Sequence, residues 1–307
     1  MQLIRDLRQV PALLTRSVVS IGNFDGGHRG HQALLAVLRQ KAQRAHLPAV
    51  VLTFEPLPRE FFAPDSSLPR LMSFREKYDF FKSQGIDAWC ILKFDRSLAA
   101  VSAQDFVKDI LCERLGMHAI VIGYDFRFGK GRGGDHALLR EMANPMGFSV
   151  TQVPPHIEEG VVVSSTRVRA ALQQGEMTKA AHLLGRYFSL TARVVHGDKR
   201  GRQLGYPTAN LACVGRTLPL AGVFVVHVDI NGTLYNGVAN VGVRPSIGTN
   251  VSTVEVHIFD FDQSIYAQVI EVVFRHRIRS EKKFTQLPQL VAQIQQDARE
   301  ARQYLGI

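Results

Sequence analysis

In the stretch SIGNFDGGHRGHQALL, residues 20–35, His28 and His31 stand three positions apart, just after glycines that close an apolar run. Imidazoles at the entry to a helical pattern can donate hydrogen bonds to a phosphate that gains charge in a transition state, and the glycines let the backbone approach that ligand. Zinc binding is the rival chemistry, but no third ligand lies close in sequence and the HExxH spacing is absent. A lone histidine is more often an ordinary hydrogen-bonding residue. The HxGH spacing after a glycine turn favours phosphate chemistry instead.

Four further stretches carry chemistry. SSTRVRAAL, residues 164–172, opens a helical pattern with three hydroxyls followed by Arg167 and Arg169, a set able to converge on phosphates, although as a bare helix cap it is unremarkable. GYDFRFGKGRGGD, residues 123–135, formally contains GxGxxG, yet its glycines begin six residues beyond Gly123. A loop covering a ligand, with two phenylalanines beside Asp125 and Arg127, therefore fits better than a dinucleotide fingerprint, and a flexible surface loop is the bland alternative. In GDKRGRQLGYPTANL, residues 197–211, Thr208 and Asn210 are two apart and share one side of an extended segment, where a hydroxyl and an amide oxygen suit a hard cation such as Mg²⁺. Glu255 lies mid-strand among apolar neighbours in TVEVHIFDFD, and pairing with an arginine such as Arg275 or Arg277 is its bland reading.

The elements that must position these residues fall into two sets. Up to about residue 185, short apolar runs (SVVSIG, AVVLTFE, DAWCILKF, HAIVIG, FSVTQVP) alternate with helical patterns (HQALLAVLRQKAQRA, SFREKYDFFKSQG, SAQDFVKDILCERLG with Ser102 and Asp105 as a cap, GGDHALLREMA). This order predicts a parallel, doubly wound α/β sheet. Beyond it come strands separated by turn residues, among them a hairpin signal at Asn231-Gly232, and these predict an antiparallel sheet or small barrel. The final helix, LPQLVAQIQQDAREARQYL, is expected to lay Leu290, Ile294, Ala298 and Tyr304 against that sheet. The boundary is placed near Gly185, giving domains 1–185 and 186–307.

With 307 residues, 46% apolar and 21% charged, the chain can close two cores. No run approaches the roughly 18 apolar residues of a membrane span, and the arginine-broken amino terminus lacks a signal-type segment, so a cytoplasmic protein with no membrane association is expected. Cys90, Cys112 and Cys213 are widely spaced, which suggests buried, reduced thiols. The net charge of +10 divides evenly, 23 basic and 18 acidic residues in 1–185 and 14 and 9 in 186–307. A nucleic-acid binder concentrates its charge, whereas this spread suits small anionic ligands.

HxGH together with SSTRVR resembles the paired nucleotide-binding motifs of adenylyltransferases; no KMSKS-like loop of an aminoacyl-tRNA synthetase appears. Taken in order, GNFDGGHRGH, TFEPLPREFF, GYDFRFGKGRGGD, SSTRVR, GRQLGYPTANL, NVGVRPSIGT, VEVHIFDFD and RIRSEKKF resemble the bacterial bifunctional riboflavin kinase/FMN adenylyltransferase (FAD synthetase) family across the whole chain. The resemblance implies a nucleotidyltransferase sheet followed by a kinase barrel. It also implies that His28 and His31 stabilise phosphates, that Gly22, Phe24, Gly30, Ser165, Thr166 and Arg169 bind ATP in the first reaction centre, and that Gly201 and Thr208 do so in the second. Asp125, Phe126 and Arg279 become flavin-binding residues, Thr208 and Asn210 the holders of Mg²⁺-ATP, and Glu255 the base for the ribityl hydroxyl. Riboflavin, FMN, FAD and ATP are the implied small-molecule partners, with no nucleic acid and a monomer or weak homo-oligomer expected. Leu57 departs from the polar or histidine residue common after EP, and RPS replaces RPT. A single-activity adenylyltransferase with an accessory barrel is the alternative within this resemblance, and a basic nucleic-acid-binding module is the alternative outside it.

Overall fold

The computed structural model describes residues 1–6, 16–64, 68–197, 201, 205–213, 217–246 and 249–307, with the backbone alone for 243–246 and 249–251. Parts of two quoted stretches, residues 198–200 and 202–204 before the PTAN segment and 247–248 in NVGVRPSIGT, lie outside the described residues. The chain forms two units, Met1–Leu68 with Ser73–Val163, and Pro69–Met72 with Ser164–Ile307.

In the first unit β1 (Gln2–Ile4), β2 (Ser17–Ile21), β3 (Ala49–Glu55), β4 (Ala88–Lys93), β5 (Met117–Gly123) and β6 (Ser149–Val153) form one parallel sheet in the order β1-β4-β3-β2-β5-β6. All five residues of β2 and the first five of β3 are buried, as continuous apolar runs require of strands covered on both faces. The crossovers carry α1 (Arg29–Ala45), α2 (Pro58–Phe62), α3 (Phe74–Ser83), α4 (Arg96–Ala99), α5 (Ala103–Asp105) and α6 (His136–Met146). The chain steps from β2 to β3 and β4 on one side and returns to β5 and β6 on the other. Strand order thus reverses between β2 and β5, and the crevice outside their carboxyl ends is where open α/β sheets receive ligands.

Two features differ from the sequence pattern. β1 pairs with β4 at the sheet edge, an element too short to read from periodicity. The helix expected over SAQDFVKDILCERLG starts as its cap implies, Ser102 Oγ accepting from Asp105 N at 3.0 Å, but continues from Phe106 to Arg114 as a π-helix that buries Phe106, Val107 and Leu111. Cys90 is buried, which pushes its thiol up to about 12 and leaves it unreactive. Cys213 is buried too, whereas Cys112 is only half-buried.

The second unit holds a closed antiparallel barrel in the order β10-β13-β12-β11-β14-β9, made of β9 (Ser189–Val195), β10 (Ala209–Leu211), β11 (Gly222–Ile230), β12 (Thr233–Ser246), β13 (Thr249–Ile258) and β14 (Val269–Arg279). The small hairpin β7 (Ile157–Glu158) and β8 (Val161–Val162) precedes it, in the first unit. Asn231 and Gly232 both have positive φ, 54° and 86°, the tight turn expected between β11 and β12. Helices α7 (Ser165–Gln174) and α8 (Met177–Leu184) group with the barrel. Arg277 Nη1 on β14 donates to the Gln174 carbonyl at 3.2 Å, and Arg169 Nε donates to the Pro69 carbonyl at 2.7 Å. The last helix, α9 (Leu287–Leu305), has the bounds of its sequence pattern. It buries Asp297 and Ala301, packs Ala298 and Leu305 beside Val225 and Phe259, and stacks Tyr304 on His276 of β14, so Ala298 and Tyr304 meet the barrel as expected.

Candidate active sites

The Gly22–Gly30 turn leaves β2 at the strand-order reversal, and the start of α1 inherits its geometry. His28 is the N-cap of α1, and its Nδ1 accepts from His31 N at 3.3 Å, which leaves Nε2 as the nitrogen able to donate to a ligand. The two imidazoles stack at 3.6 Å between centroids, 18° from parallel, and Phe24 closes on His31 at 5.2 Å. A Cβ on Gly30 would lie 3.2 Å from the His28 ring, which makes glycine part of the stack. Phe24 is buried with φ of 50°, so the turn offers a ligand the backbone of Phe24 rather than its ring. His31 Nδ1 is buried with no hydrogen-bond partner among the described residues, a cost that a bound oxygen would relieve. Burial first, then the electrostatic influence of the neighbouring His28 and Lys77, holds His31 well below the ordinary imidazole range and keeps it neutral near pH 7.

Sequence reasoning missed Lys77. On α3 it reads as a solvated charge, yet it is only 5% exposed, and its Nζ donates to the Asn23 carbonyl at 2.9 Å. The one available signal is its place at i with Phe80 and Phe81 at i+3 and i+4, on the buried face of α3.

The 123–135 segment is a folded loop anchored at both ends. Phe128 and Gly134 pair, Lys130 N donates to the Val101 carbonyl at 2.8 Å, and Arg127 binds Asp135 at 2.7 Å. Asp135 caps α6, and the Leu138 N–H first, then Arg127, hold its carboxyl below the usual range. Gly129 and Gly134 each face Ala103 so closely that a Cβ would fall within 2.8 Å of its atoms, so these two glycines serve packing rather than phosphate approach. Asp125 is exposed at the carboxyl end of β5, next to β2, while Phe126 stacks on Phe128 at 5.3 Å and packs against the core. Leu57, the departure after EP, is buried at the start of α2.

Ser165 and Thr166 occupy the first turn of α7, capped by Ser164 Oγ, which accepts from Arg167 N at 3.3 Å. Arg169 commits its Nε to Pro69.

On the barrel, pairing brings Asn210 of β10 opposite Glu255 of β13, and Glu255 opposite Asn240 of β12. Directly paired residues face the same side, with side chains about 5 Å apart, so an amide, a carboxylate and a second amide form one row across three strands. Asn240 is the member that sequence reasoning missed; only the β12–β13 register shows it. Glu255 is half-buried between Val254 and Val256, which point into the core. The arginine pairing suggested as its alternative role is not seen among the described residues. Arg275 lies over Tyr187 at 3.9 Å, and Arg277 binds Gln174 and Ser280. His257 Nδ1 hydrogen-bonds with the Pro207 carbonyl at 2.9 Å and so fastens the PTAN segment beside this row. Gly201 sits against Thr208: a Cβ there would lie 3.3 Å from the Thr208 hydroxyl and collide with the Tyr206 carbonyl. Arg279 is engaged by Asp297 through Nε at 2.9 Å and Nη2 at 2.7 Å and by the Ser280 carbonyl through Nη1, so it fixes the RIRS turn and α9.

Comparison with known proteins bears on both halves. Residues 10–167 match the FAD synthetase family and residues 184–305 the riboflavin kinase family. The bifunctional riboflavin kinase/FMN adenylyltransferase of Escherichia coli K12 is 41% identical over 305 residues, covering 99% of this chain and 97% of that protein. Its namesake in Pseudomonas fluorescens is 42% identical over 303 residues, with 98% and 97% covered. A solved structure from Streptococcus pneumoniae, described as a macrolide-efflux protein, is 35% identical with a TM-score of 0.82 and 96% of each chain covered. In the present chain, no helix among the described residues is long and apolar enough to cross a membrane. An FAD synthetase domain and a riboflavin kinase domain thus follow one another along a single polypeptide, and the chain belongs to the bifunctional riboflavin kinase/FMN adenylyltransferase family.

Proposed function

We propose that the two constellations run successive reactions, riboflavin phosphorylation on the barrel (assigned to 186–307) and FMN adenylylation at the parallel sheet (assigned to 1–185). The observation that carries this reading is that the chain holds two separate constellations: the stacked HxGH pair at a strand-order reversal, and the Asn210–Glu255–Asn240 row beside Thr208.

On the barrel, Glu255 takes the proton of the ribityl hydroxyl as that oxygen bonds to the γ-phosphorus of ATP and ADP departs. Gly201 and Thr208 line the nucleotide's phosphates. The oxygen donors of Thr208 and Asn210, with room left above the threonine by Gly201, fit a hard cation, and these two residues would hold Mg²⁺. When bound, the metal supplies charge neutralisation on the phosphates. Arg279 supports flavin binding by holding the RIRS turn.

At the parallel sheet, a phosphate oxygen of FMN attacks the α-phosphorus of a second ATP, FAD forms and pyrophosphate leaves. His28 donates from Nε2 and neutral His31 adds a second donor as charge grows on the phosphates. Gly22, Phe24 and Gly30 supply backbone and clearance. Ser165, Thr166 and Arg169 are assigned to ATP on the strength of the family motif, and Asp125 and Phe126 to the flavin. A cytoplasmic enzyme, monomeric or weakly self-associating, acting on small molecules and not on nucleic acid, completes the reading.

The test is chromatography of flavins after incubation with riboflavin, ATP and Mg²⁺. FMN should appear first and FAD second. FAD from supplied FMN with no phosphorylation of riboflavin would favour the single-activity alternative, against which the intact Glu255 row argues.

A further inference from the structure

The binding turn is gripped from behind by one face of α3. Lys77, Phe80 and Phe81 stand at i, i+3 and i+4, and all three are buried. Phe81 meets Phe24 edge-on at 5.5 Å, and a Cβ on Gly27, whose φ is 54°, would fall 2.8 Å from the Phe80 ring. Between these contacts the Lys77 ammonium donates to the Asn23 carbonyl at 2.9 Å. A buried ammonium is costly unless its hydrogen bonds and charge are met, so a lysine held at this position points to a polar role beyond packing.

Resting on the adenylylation reading above, we propose that Lys77 is a positioning residue for adenylyl transfer: its buried ammonium pins the Asn23 carbonyl, fixes the path of the turn between Gly22 and His28, and sets a permanent positive charge behind the imidazole pair. His31 feels that charge together with His28, and both oppose its protonation. Asp25, buried in the same turn, is the acidic group of that segment. The arrangement keeps His31 a neutral donor until nucleotide phosphate arrives, and gives the incoming anion a positive field that no mobile surface lysine provides. Lys77 touches neither substrate in this scheme; it acts through the turn.

The experiment uses the full-length protein with three substitutions. Lys77→Met keeps the shape without donor or charge, Lys77→Gln keeps a donor without charge, and Lys77→Arg keeps both. FAD formation from FMN, FMN formation from riboflavin, the melting temperature and the NMR titration of His31 are read on each. In Lys77→Met, kcat for adenylylation should fall about 10- to 100-fold, as misplacement of the reacting groups by up to about 1 Å implies. Riboflavin phosphorylation should hold, His31 should titrate at a higher pH than in the parent, and activity should rank Arg above Gln above Met. Parental FAD formation in Lys77→Met, equal losses in Met and Arg, or losses shared by both reactions in step with melting temperature would overturn the proposal in favour of a purely structural lysine. If Lys77→Met does not fold, Lys77→Gln is judged by the same criteria, and failure of all three to fold likewise decides for structure. His31→Ala in the same assay separates the two readings: if it too makes FAD at the parental rate, the assignment of the turn fails, and not only that of Lys77.

Discussion

Gly30→Ala should separate folding from catalysis at the HxGH turn. Gly30 lies in the first turn of α1 with ordinary helical backbone, and alanine in a helix is favoured over glycine by about 0.8–1 kcal/mol. Its new Cβ, however, would sit 3.2 Å from the Cε1 and Nδ1 atoms of His28 and 3.6 Å from the Val163 carbonyl. The backbone cannot yield readily at a helix cap, so the ring gives way by a few tenths of an ångström, off both its stack on His31 and its capping bond. A displacement of about 1 Å costs about 10²-fold in rate, so this fraction of it should cost about 2- to 10-fold in FAD formation from FMN. The propensity gain and the steric cost nearly cancel in stability, and the melting temperature should stay within about 3 °C of the parent. Riboflavin phosphorylation in the same preparation is the internal control. Parental FAD formation would show that Gly30 does not shape the His28 ring, and equal loss of both activities would point to misfolding.

Other expectations follow from the same geometry. Because His31 is held neutral in the fold while an unfolded histidine takes up a proton near pH 6.5, the unfolded chain binds more protons below that value and stability falls as the solution is acidified through it. His31→Asn should flatten that part of the pH–stability curve, measured by denaturant unfolding, and an unchanged slope would contradict the burial argument. Arg169→Lys keeps charge but loses the planar fork and its bond to Pro69, so FMN adenylylation should fall about tenfold or more with riboflavin phosphorylation spared; parental adenylylation would remove Arg169 from the site. Asp297→Ala strips Arg279 of its partner where the two side chains are only 15% and 6% exposed, at a cost of up to about 3–5 kcal/mol in barrel stability. A loss below about 1 kcal/mol in denaturant unfolding would show the pair to be dispensable.

Much of this was readable because local signals agreed with tertiary need. The continuous apolar runs become covered parallel strands, Asn231-Gly232 takes the positive φ pair that the hairpin twist demands, and the last helix has its expected bounds. What escaped was set by contacts distant in sequence. Gln2–Ile4 is a strand only because β4 offers an edge. Gly129 and Gly134 suggested a ligand loop, whereas Ala103, more than twenty residues earlier, dictates them. At the sites, the histidine pair and Thr208, Asn210 and Glu255 carried their own motifs. Lys77 and Asn240 matter through burial and strand register, which no spacing in the sequence displays.

Complementation between two single-site variants tests the two-reaction account most directly. His31→Ala should slow adenylylation about 10²–10³-fold, and Glu255→Gln should slow phosphorylation of riboflavin by about 10²–10⁴-fold, while each leaves the other reaction intact. Given riboflavin, ATP and Mg²⁺, His31→Ala alone should accumulate FMN and Glu255→Gln alone should leave riboflavin unchanged. Mixed, the two proteins should make FAD at a rate set by their amounts. FAD from either variant alone at the parental rate, or none from the mixture although both proteins melt as the parent does, would contradict the assignment of one reaction to each constellation.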